Sequence, residues 1–174
     1  MGDPTKLDEQ AKKTALRMIP YGLYALTAHD GKDAVGAATV NWVTQTAFSP
    51  PLVAVGVKVD SSAYAVLKST GRFALNMLGK DHKQVATAFF KPAKVDGGKI
   101  NGQAFKPGMN GAPILEACIG AVECDVKQIV ELGDHHIVVG QVTQAHLPSG
   151  APAGRPDVAI LHMRELGDTV FYGG

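Results

Sequence analysis

The feature that most constrains the fold is a succession of short apolar segments bounded by glycine, proline, asparagine or aspartate. Residues 23–29 and 34–43 flank the turn "DGKD", and residues 114–132 and 135–147 flank the turn "GD". Both patterns are typical of antiparallel hairpins. Further strands are predicted at 51–59, 72–79, 157–163 and 168–173. About eight strands without regular βα alternation predict a mainly β fold with inserted helices, built as a closed or half-closed antiparallel barrel.

Three helices interrupt this pattern. An N-terminal helix is predicted over about residues 4–19, with Asp3 as N-cap and Pro4 at its first position. Its apolar face comprises Leu7, Ala11, Ala15 and Met18. Segments 60–71 and 81–91 are the other two helices. Residues 92–113 carry the highest glycine and proline density, and we interpret them as a surface excursion or lid rather than a linker.

Length and charge narrow the class of protein. The 174 residues fit one domain, and 45% of them are hydrophobic, which argues against disorder. A net charge of +1 gives no basic surface for nucleic acid or an anionic membrane. The N-terminus has no apolar signal region, and no window approaches the roughly 18 apolar residues of a membrane span. We therefore predict a cytoplasmic protein that binds neither nucleic acid nor membrane.

The sequence lacks several motifs that mark common kinds of catalytic or phosphate-binding site. It contains neither glycine-rich phosphate loop, no H-E-x-x-H, no C-x-x-C and no G-x-S-x-G. His135 and His136 are adjacent, so on a strand they face opposite sides and do not chelate one metal ion. Cys118 and Cys124 would lie about 20 Å apart on a strand, beyond disulfide reach, so free thiols and a reducing compartment are expected. No metal site is predicted.

The stretch "TVNWVTQTAFSPP" before the apolar strand 51–59 is longer and more polar than a turn requires. One interpretation is a polar turn or strand crossover in which Trp42 fills the core. The other is a ligand-binding wall, in which strand alternation places Asn41, Val43 and Gln45 on one side. Amide and hydroxyl side chains of this kind bond the polar edge of a heterocycle, a polyol or a phosphate.

Two further segments have a simple and a functional interpretation. "KVDSSAYAVLKSTG" is typical of a capped helix, but a helix N-terminus with Ser61, Ser62 and the preceding Lys58 is also an anion site. "LGDHHIVVGQV" places two histidines at a hairpin turn, where they are either solvated or positioned at the mouth of a pocket.

Taken together and in order, "GAATVNWVTQTAFSPPLVAVGVKVDSSAY", "STGRFALNMLG", "GAVECDV" and "LGDHHIVVGQV" resemble a known family. The sequence from about residue 15 to 165 is similar to the flavin reductase-like proteins of the FMN-binding split-barrel fold. The resemblance implies a single antiparallel split-barrel domain over residues 1–174. It also implies FMN, with FAD as the alternative flavin, bound at the interface of a homodimer.

The resemblance also implies roles for individual residues. Residues 39–45 would form the wall against the isoalloxazine, with Asn41 at its polar edge and Thr44 and Gln45 at the ribityl or phosphate. Lys58 and the helix N-terminus would bind the phosphate. His135 falls on the family's Gly-Asp-His position and is the predicted catalytic residue. Trp42 stands where a small serine is common. The full predicted cofactor-binding set is Thr39, Val40, Asn41, Trp42, Thr44, Gln45, Val57, Lys58, Ser61, Ser62, Asn76 and Lys91.

The function implied is an NAD(P)H-dependent flavin reductase, in which the cofactor carries the chemistry and the protein orients it. The electron acceptor would be free flavin, a ferric chelate or a partner oxygenase. Two alternatives stay open: an electron-relay flavoprotein that NAD(P)H does not reduce, and a split-barrel module that binds without catalysis.

Overall fold

The computed structural model describes residues 6–173 and is built around a seven-stranded antiparallel sheet. The strand order is β2-β1-β5-β10-β11-β4-β3. This arrangement confirms the prediction of a mainly β, antiparallel fold. The strands of this sheet are β1 (Tyr24–His29), β2 (Val35–Val40), β3 (Val43–Ala47), β4 (Leu52–Lys58), β5 (Arg72–Met77), β10 (Gly120–Val130) and β11 (His135–His146).

The sheet is curled because its two edge strands are consecutive in sequence. β2 lies at one edge and β3 at the other, yet only Asn41 and Trp42 separate them. Six strand spacings would put the edges of a flat sheet about 29 Å apart. Three Cα steps span at most about 11 Å. The sheet must therefore bend round until its edges nearly meet, which gives a half-closed barrel with Asn41 and Trp42 at the junction.

Two apolar clusters pack on the sheet. One includes Leu26, Val55 and Phe73 and is covered by α2 (Ser62–Thr70). The other includes Leu78 and Phe89 beside α3 (Lys83–Ala88). Helix α2 begins at an N-cap, Ser61, and ends at Gly71 in the left-handed conformation, as its sequence predicts.

The glycine-rich segment 92–113 is more ordered than the predicted surface excursion. It contributes three of the four strands of a small antiparallel sheet, and Ile100 within it is fully buried. Asn101, at φ 47°, donates from its amide to the carbonyl of Ala88 and accepts from the amide of Lys94. Hydrogen bonds of the Asn101 side chain fix this turn. Such bonds leave no helix or strand periodicity in the sequence, so the sequence pattern did not predict the turn. The strands are β6 (Val95–Asp96), β7 (Lys99–Ile100), β8 (Gln103–Pro107) and β9 (Pro113–Leu115).

Helix α1 spans Glu9–Arg17, which is shorter than the predicted 4–19. Its N-cap is Asp8, whose carboxylate accepts from the amides of Gln10 and Ala11. The predicted cap, Asp3–Pro4, lies outside the described residues. No residue of α1 is buried. The predicted apolar face therefore exists in the sequence but does not pack into the core.

The strands predicted at 157–163 and 168–173 are wrong. The structure has 3-10 helices at Pro156–Ala159 and Met163–Leu166, and residues 168–173 form neither helix nor strand. The only β-pairing of this part of the chain, among the residues described, is two isolated bridges, Gly22 with His162 and Gly79 with Ile160. Apolar alternation at these positions reflects packing onto existing strands, because Leu161 is fully buried without forming a ladder.

The hairpin predicted around "GD" is confirmed, with β10 paired to β11 through Gly133 in a positive-φ turn. Across residues 6–173, none of the helices has the length and apolar character needed to cross a membrane.

Candidate functional site

A cavity of about 520 Å³ opens where the two edges of the sheet meet. This volume falls within the usual range for small-molecule sites. Strand β2, the end of β4, the start of α2 and the segment after α3 surround it. Its lining residues are Leu23, Ala37, Ala38, Thr39, Val40, Asn41, Lys58, Asp60, Ser61, Ser62, Phe89, Phe90, Lys91, Pro92, Met163, Val170, Phe171 and Tyr172.

The cavity brings together seven of the twelve residues predicted to bind a cofactor. They come from three separate stretches of sequence, so the fold rather than sequence proximity assembles them. The seven are Thr39, Val40, Asn41, Lys58, Ser61, Ser62 and Lys91.

The other five predicted residues lie outside the cavity lining. Thr44 and Gln45 are exposed and bond to nearby backbone carbonyls, and Val57 is buried in the core. Asn76 is fully buried, donates to the carbonyl of Ala25 and accepts from the amide of Leu115, so the structure places it in the scaffold. Trp42 lies against Gly56 behind the lining.

The predicted alternation over residues 41–46 does not extend through the whole stretch. β2 ends at Val40 and β3 begins at Val43, so Asn41 and Trp42 belong to neither strand. The backbone amide of Val43 bonds the carbonyl of Asn41, and the amide of Gly56 bonds the carbonyl of Trp42. This local turn faces Asn41 to the cavity and Trp42 to β4, the opposite sides that alternation predicts, although neither residue belongs to a strand.

Strand β2 forms one wall of the cavity and is fixed to α3. The hydroxyl of Thr39 donates to the carbonyl of Ala86 over 2.6 Å, and its amide donates to the carbonyl of Phe89. These bonds hold Phe89 and Phe90 beside the wall. The wall therefore combines apolar surface with backbone polar groups, which suits a planar aromatic ligand with polar edges.

The N-terminus of α2 forms the anion-binding end. The hydroxyl of Ser61 accepts from the amide of Tyr64 and donates to the carbonyl of Lys58. The backbone amides of the first turn before Tyr64 have no intrahelical acceptor, and they form the positive end of the helix dipole. Lys58 pairs with Asp60 at 3.0 Å, which raises the pKa of Lys58. An anionic ligand would share Lys58 with Asp60.

His135 lies beside this site, although it does not line the cavity. Its Nδ1 is 3.0 Å from a carboxylate oxygen of Asp134, and its Nε2 is 2.6 Å from the hydroxyl of Tyr172. The hydrogen bond from His135 lowers the pKa of Asp134. The Trp42 and His135 ring centroids lie 4.6 Å apart. His135 is thus held at the junction of the sheet edges.

His136 faces the opposite side of the strand, as predicted. Its Nδ1 lies 2.5 Å from the hydroxyl of Tyr64 on α2. The two adjacent histidines therefore do not share a ligand.

The sequence did not predict the contribution of residues 170–172, because that segment was interpreted as a closing strand. Phe171 and Tyr172 are two adjacent aromatic residues in a chain with only 6% aromatics. Both are more than 40% exposed, and both line the cavity. The sequence signal that could have indicated this contribution is the aromatic pair Phe171 and Tyr172, followed by glycine.

The sequence of the chain matches a known protein family. A family model described as "Flavin reductase like domain" matches residues 16–166. A flavin reductase from Pseudomonas putida is 30% identical over 143 residues, which cover 82% of this chain and 82% of that protein.

Solved structures of similar proteins have the same fold. The NADH:FAD oxidoreductase of Streptomyces globisporus superimposes with a TM-score of 0.69 at 26% identity, covering 84% of this chain and 86% of that one. The styrene monooxygenase flavin reductase of Pseudomonas putida superimposes with a TM-score of 0.67 at 27% identity, covering 82% and 88%.

Proposed function

Because this chain belongs to the flavin reductase-like family, we propose that it is an NAD(P)H-dependent flavin reductase that supplies electrons to a separate acceptor. The observation that carries the proposal is the position of the β2 wall, the α2 N-terminus and His135 around one junction. These are the three parts that a stacked flavin, its phosphate and a nicotinamide require. They come from distant parts of the chain.

The residues present fit a flavin. The wall from Ala37 to Asn41 offers backbone amides and carbonyls to the polar edge of a ring system, with Phe89 and Phe90 nearby for its apolar faces. The buried indole nitrogen of Trp42 has no hydrogen-bond partner among the described residues, so the junction beside this wall holds one donor that the protein leaves unpaired. When bound, the flavin supplies hydride acceptance and electron transfer.

The α2 end of the cavity determines how the phosphate is held. Amides of the first turn bind a terminal phosphate, and Lys58 neutralises its charge. Asp60 lies on the same rim and keeps Lys58 oriented, at the cost of one negative charge near the ligand. FMN, with its terminal phosphate, is our first choice of flavin. FAD is the alternative, and the similarity to an NADH:FAD oxidoreductase supports it.

For the acceptor, we favour a partner oxygenase, because one of the similar structures is the reductase of a styrene monooxygenase. Free flavin and ferric chelates are the other acceptors to test. The proposal includes a homodimer, supported by exposed apolar residues such as Phe48 at 91% and Leu132 at 72%. It also includes a cytoplasmic location, supported by the two free buried thiols.

The test is a visible spectrum of the purified protein with added FMN, followed by NADH without oxygen. A shifted flavin band that NADH bleaches is the expected result. A shifted band that persists at millimolar NADH and NADPH would leave an electron-relay flavoprotein. No shift with either FMN or FAD would indicate a binding module without flavin.

A further inference from the structure

Tyr172 occupies the polar groups of the site through three separate contacts. Its hydroxyl lies 2.6 Å from Nε2 of His135, and its backbone carbonyl accepts from the amide of Asn41 at 3.0 Å. Its ring lies 5.6 Å from the Trp42 ring, centroid to centroid. One residue therefore engages the pocket wall, the predicted catalytic histidine and the tryptophan at the sheet junction.

The contacts of His135 define which of its nitrogens accepts a hydrogen bond. Because the carboxylate of Asp134 accepts only, the proton of the neutral imidazole lies on Nδ1. Nε2 then carries the lone pair and accepts from the hydroxyl of Tyr172. With Tyr172 moved aside, His135 presents a hydrogen-bond acceptor at this face.

Trp42 presents the complementary group. Its Nε1 is the one buried side-chain nitrogen or oxygen without a hydrogen-bond partner in the part of the chain described, residues 6–173. A Cβ built on Gly173 would lie 3.5 Å from that nitrogen, so the segment around Tyr172 covers it. A buried unpaired donor destabilises the fold by the free energy of its lost hydration, and an acceptor that binds it would remove that penalty. The covered arrangement provides no such acceptor.

Apart from the two hydrogen bonds of Tyr172, the covering segment, residues 170–173, is held by exposed contacts with Arg17. Arg17 lies over the Phe171 ring at 4.1 Å, and its Nε approaches the carbonyl of Gly173 at 3.4 Å. Exposed cation–π and long hydrogen bonds are each weak. Val170 to Tyr172 also separate the main cavity from a second cavity of about 350 Å³, so there is space on both sides.

The donor Trp42 Nε1 and the acceptor His135 Nε2 both meet residues 172–173, and their ring centroids lie 4.6 Å apart. Such a pair matches a primary carboxamide, whose carbonyl accepts and whose N–H donates. We infer that the carboxamide of the nicotinamide binds Trp42 Nε1–H and His135 Nε2, and that it displaces Tyr172 to do so. This inference rests on the proposed function. Trp42 is then the residue that recognises the carboxamide of the reductant. Tyr172 is a competitor from the same chain for the site at Trp42 and His135.

The direct test uses the single tryptophan of the chain, which gives one indole ¹H–¹⁵N signal. NAD⁺ is titrated into the oxidised, FMN-loaded protein, so no turnover occurs. The expected result is a downfield shift of the indole proton. ADP-ribose, which lacks the nicotinamide, should leave the signal in place. The 3-acetylpyridine analogue keeps the carbonyl and loses the N–H, so it should shift the signal but bind more weakly.

Variants separate recognition from competition. Trp42→Phe removes the donor and should raise the Kd for NAD⁺ about two- to tenfold. Tyr172→Phe removes the competing hydroxyl and should lower that Kd by a similar factor, about two- to tenfold.

A glycine pair tests displacement without removing either recognition group. Gly173 has φ 130°, so Gly173→Ala strains the covering position and should also tighten NAD⁺ binding. Gly154→Ala, at φ 73° with no atom within 4 Å of the added Cβ, is the matched control and should leave the Kd unchanged.

Two outcomes would overturn the inference while the proposed function stands. One is an indole signal that NAD⁺ does not move although NADH reduces the flavin. The other is weaker NAD⁺ binding in Tyr172→Phe, which would make Tyr172 part of the binding site. Failure of NADH to reduce the flavin would instead contradict the proposed function.

Discussion

The side-chain amide of Asn41 donates a hydrogen bond to the backbone carbonyl of Tyr172 over 3.0 Å, across 131 positions of sequence. Asn41 is 4% exposed and stands at the crossing between the two edges of the sheet. This bond uses one of its two N–H groups, and within residues 6–173 the second N–H and the carbonyl oxygen have no hydrogen bond, so we propose that they contact the ligand. Asn41 therefore connects the flavin wall to the covering segment.

Replacing Asn41 tests this wall. Asn41→Ala should weaken FMN binding about tenfold and lower the free energy of unfolding by about 1 kcal/mol, since one buried hydrogen bond is lost. Fluorescence titration with FMN and urea unfolding measure the two effects. Gln144→Ala, on an exposed part of β11, is the control and should change neither. Unchanged FMN affinity in Asn41→Ala would remove this residue from the site.

Lys58 is expected to recognise the phosphate rather than the ring. Lys58→Met should raise the Kd for FMN about tenfold, because a charge-assisted contact is lost. The Kd for riboflavin, which has no phosphate, should not change. Lys68→Met, which removes an exposed lysine paired with Glu131 at the other end of α2, controls for the change in net charge. Equal losses for both ligands would place Lys58 elsewhere on the flavin.

Gly36 lets α2 approach the wall. A Cβ at this position would lie 2.7 Å from Cα of Ala63 and from the carbonyl oxygen of Ser62. Gly36→Ala should therefore push the start of α2 away and lower the free energy of unfolding by about 1–3 kcal/mol. FMN affinity should fall more than riboflavin affinity, because the displaced helix carries the phosphate contacts. A stable variant with unchanged FMN binding would contradict this coupling.

Glu123 should make stability depend on acid pH. Burial alone would raise the pKa of Glu123, but hydrogen bonds from the amides of Asn110 and Met109 and from His146 hold it below its usual value. A depressed folded pKa means that the carboxylate stabilises the fold above the unfolded pKa of about 4.3. That contribution is lost as the pH falls through the folded value.

The measurement is urea unfolding between neutral pH and about pH 3, below the unfolded pKa. Glu123→Gln leaves one backbone amide unpaired, so it should lose about 1–3 kcal/mol at neutral pH and less in acid. Glu116→Gln, at a residue that forms a weak ion pair with the exposed Lys106 at 3.9 Å, should keep the wild-type pH dependence. A wild-type profile in Glu123→Gln would show that other groups cause the acid loss.

The two thiols should be unreactive in the folded protein. Burial raises the pKa of Cys118 to about 11 and that of Cys124 to about 12, so little thiolate is present at pH 8. Ellman's reagent should therefore label both only as the chain unfolds in urea. Rapid labelling of the native protein would mean that the connection holding Cys118 or strand β10, which holds Cys124, opens readily.

Six of the seven strands of the main sheet were predictable from the sequence, all but β3. So were the hairpin at Gly133, the capped helix α2 and the opposite orientations of His135 and His136. Each depends on local rules: alternation along a strand, a serine cap, a glycine at positive φ. Seven of the twelve predicted cofactor residues also meet at the cavity. The family resemblance supplied that set, since local patterns alone favoured a polar turn over a ligand-binding wall at residues 39–46.

The closure of the site was decided by tertiary structure. Asn41 and Trp42 face different sides, as alternation predicts, but the break in the ladder between β2 and β3 and the meeting of the sheet edges there come from the curl of the whole sheet. Residues 168–173 look like a strand but join neither sheet, and Tyr172 packs on Trp42 and bonds His135 instead. Sequence periodicity determines which face of a segment is apolar. It does not determine which distant surface that face will meet, because that depends on how the whole sheet curls.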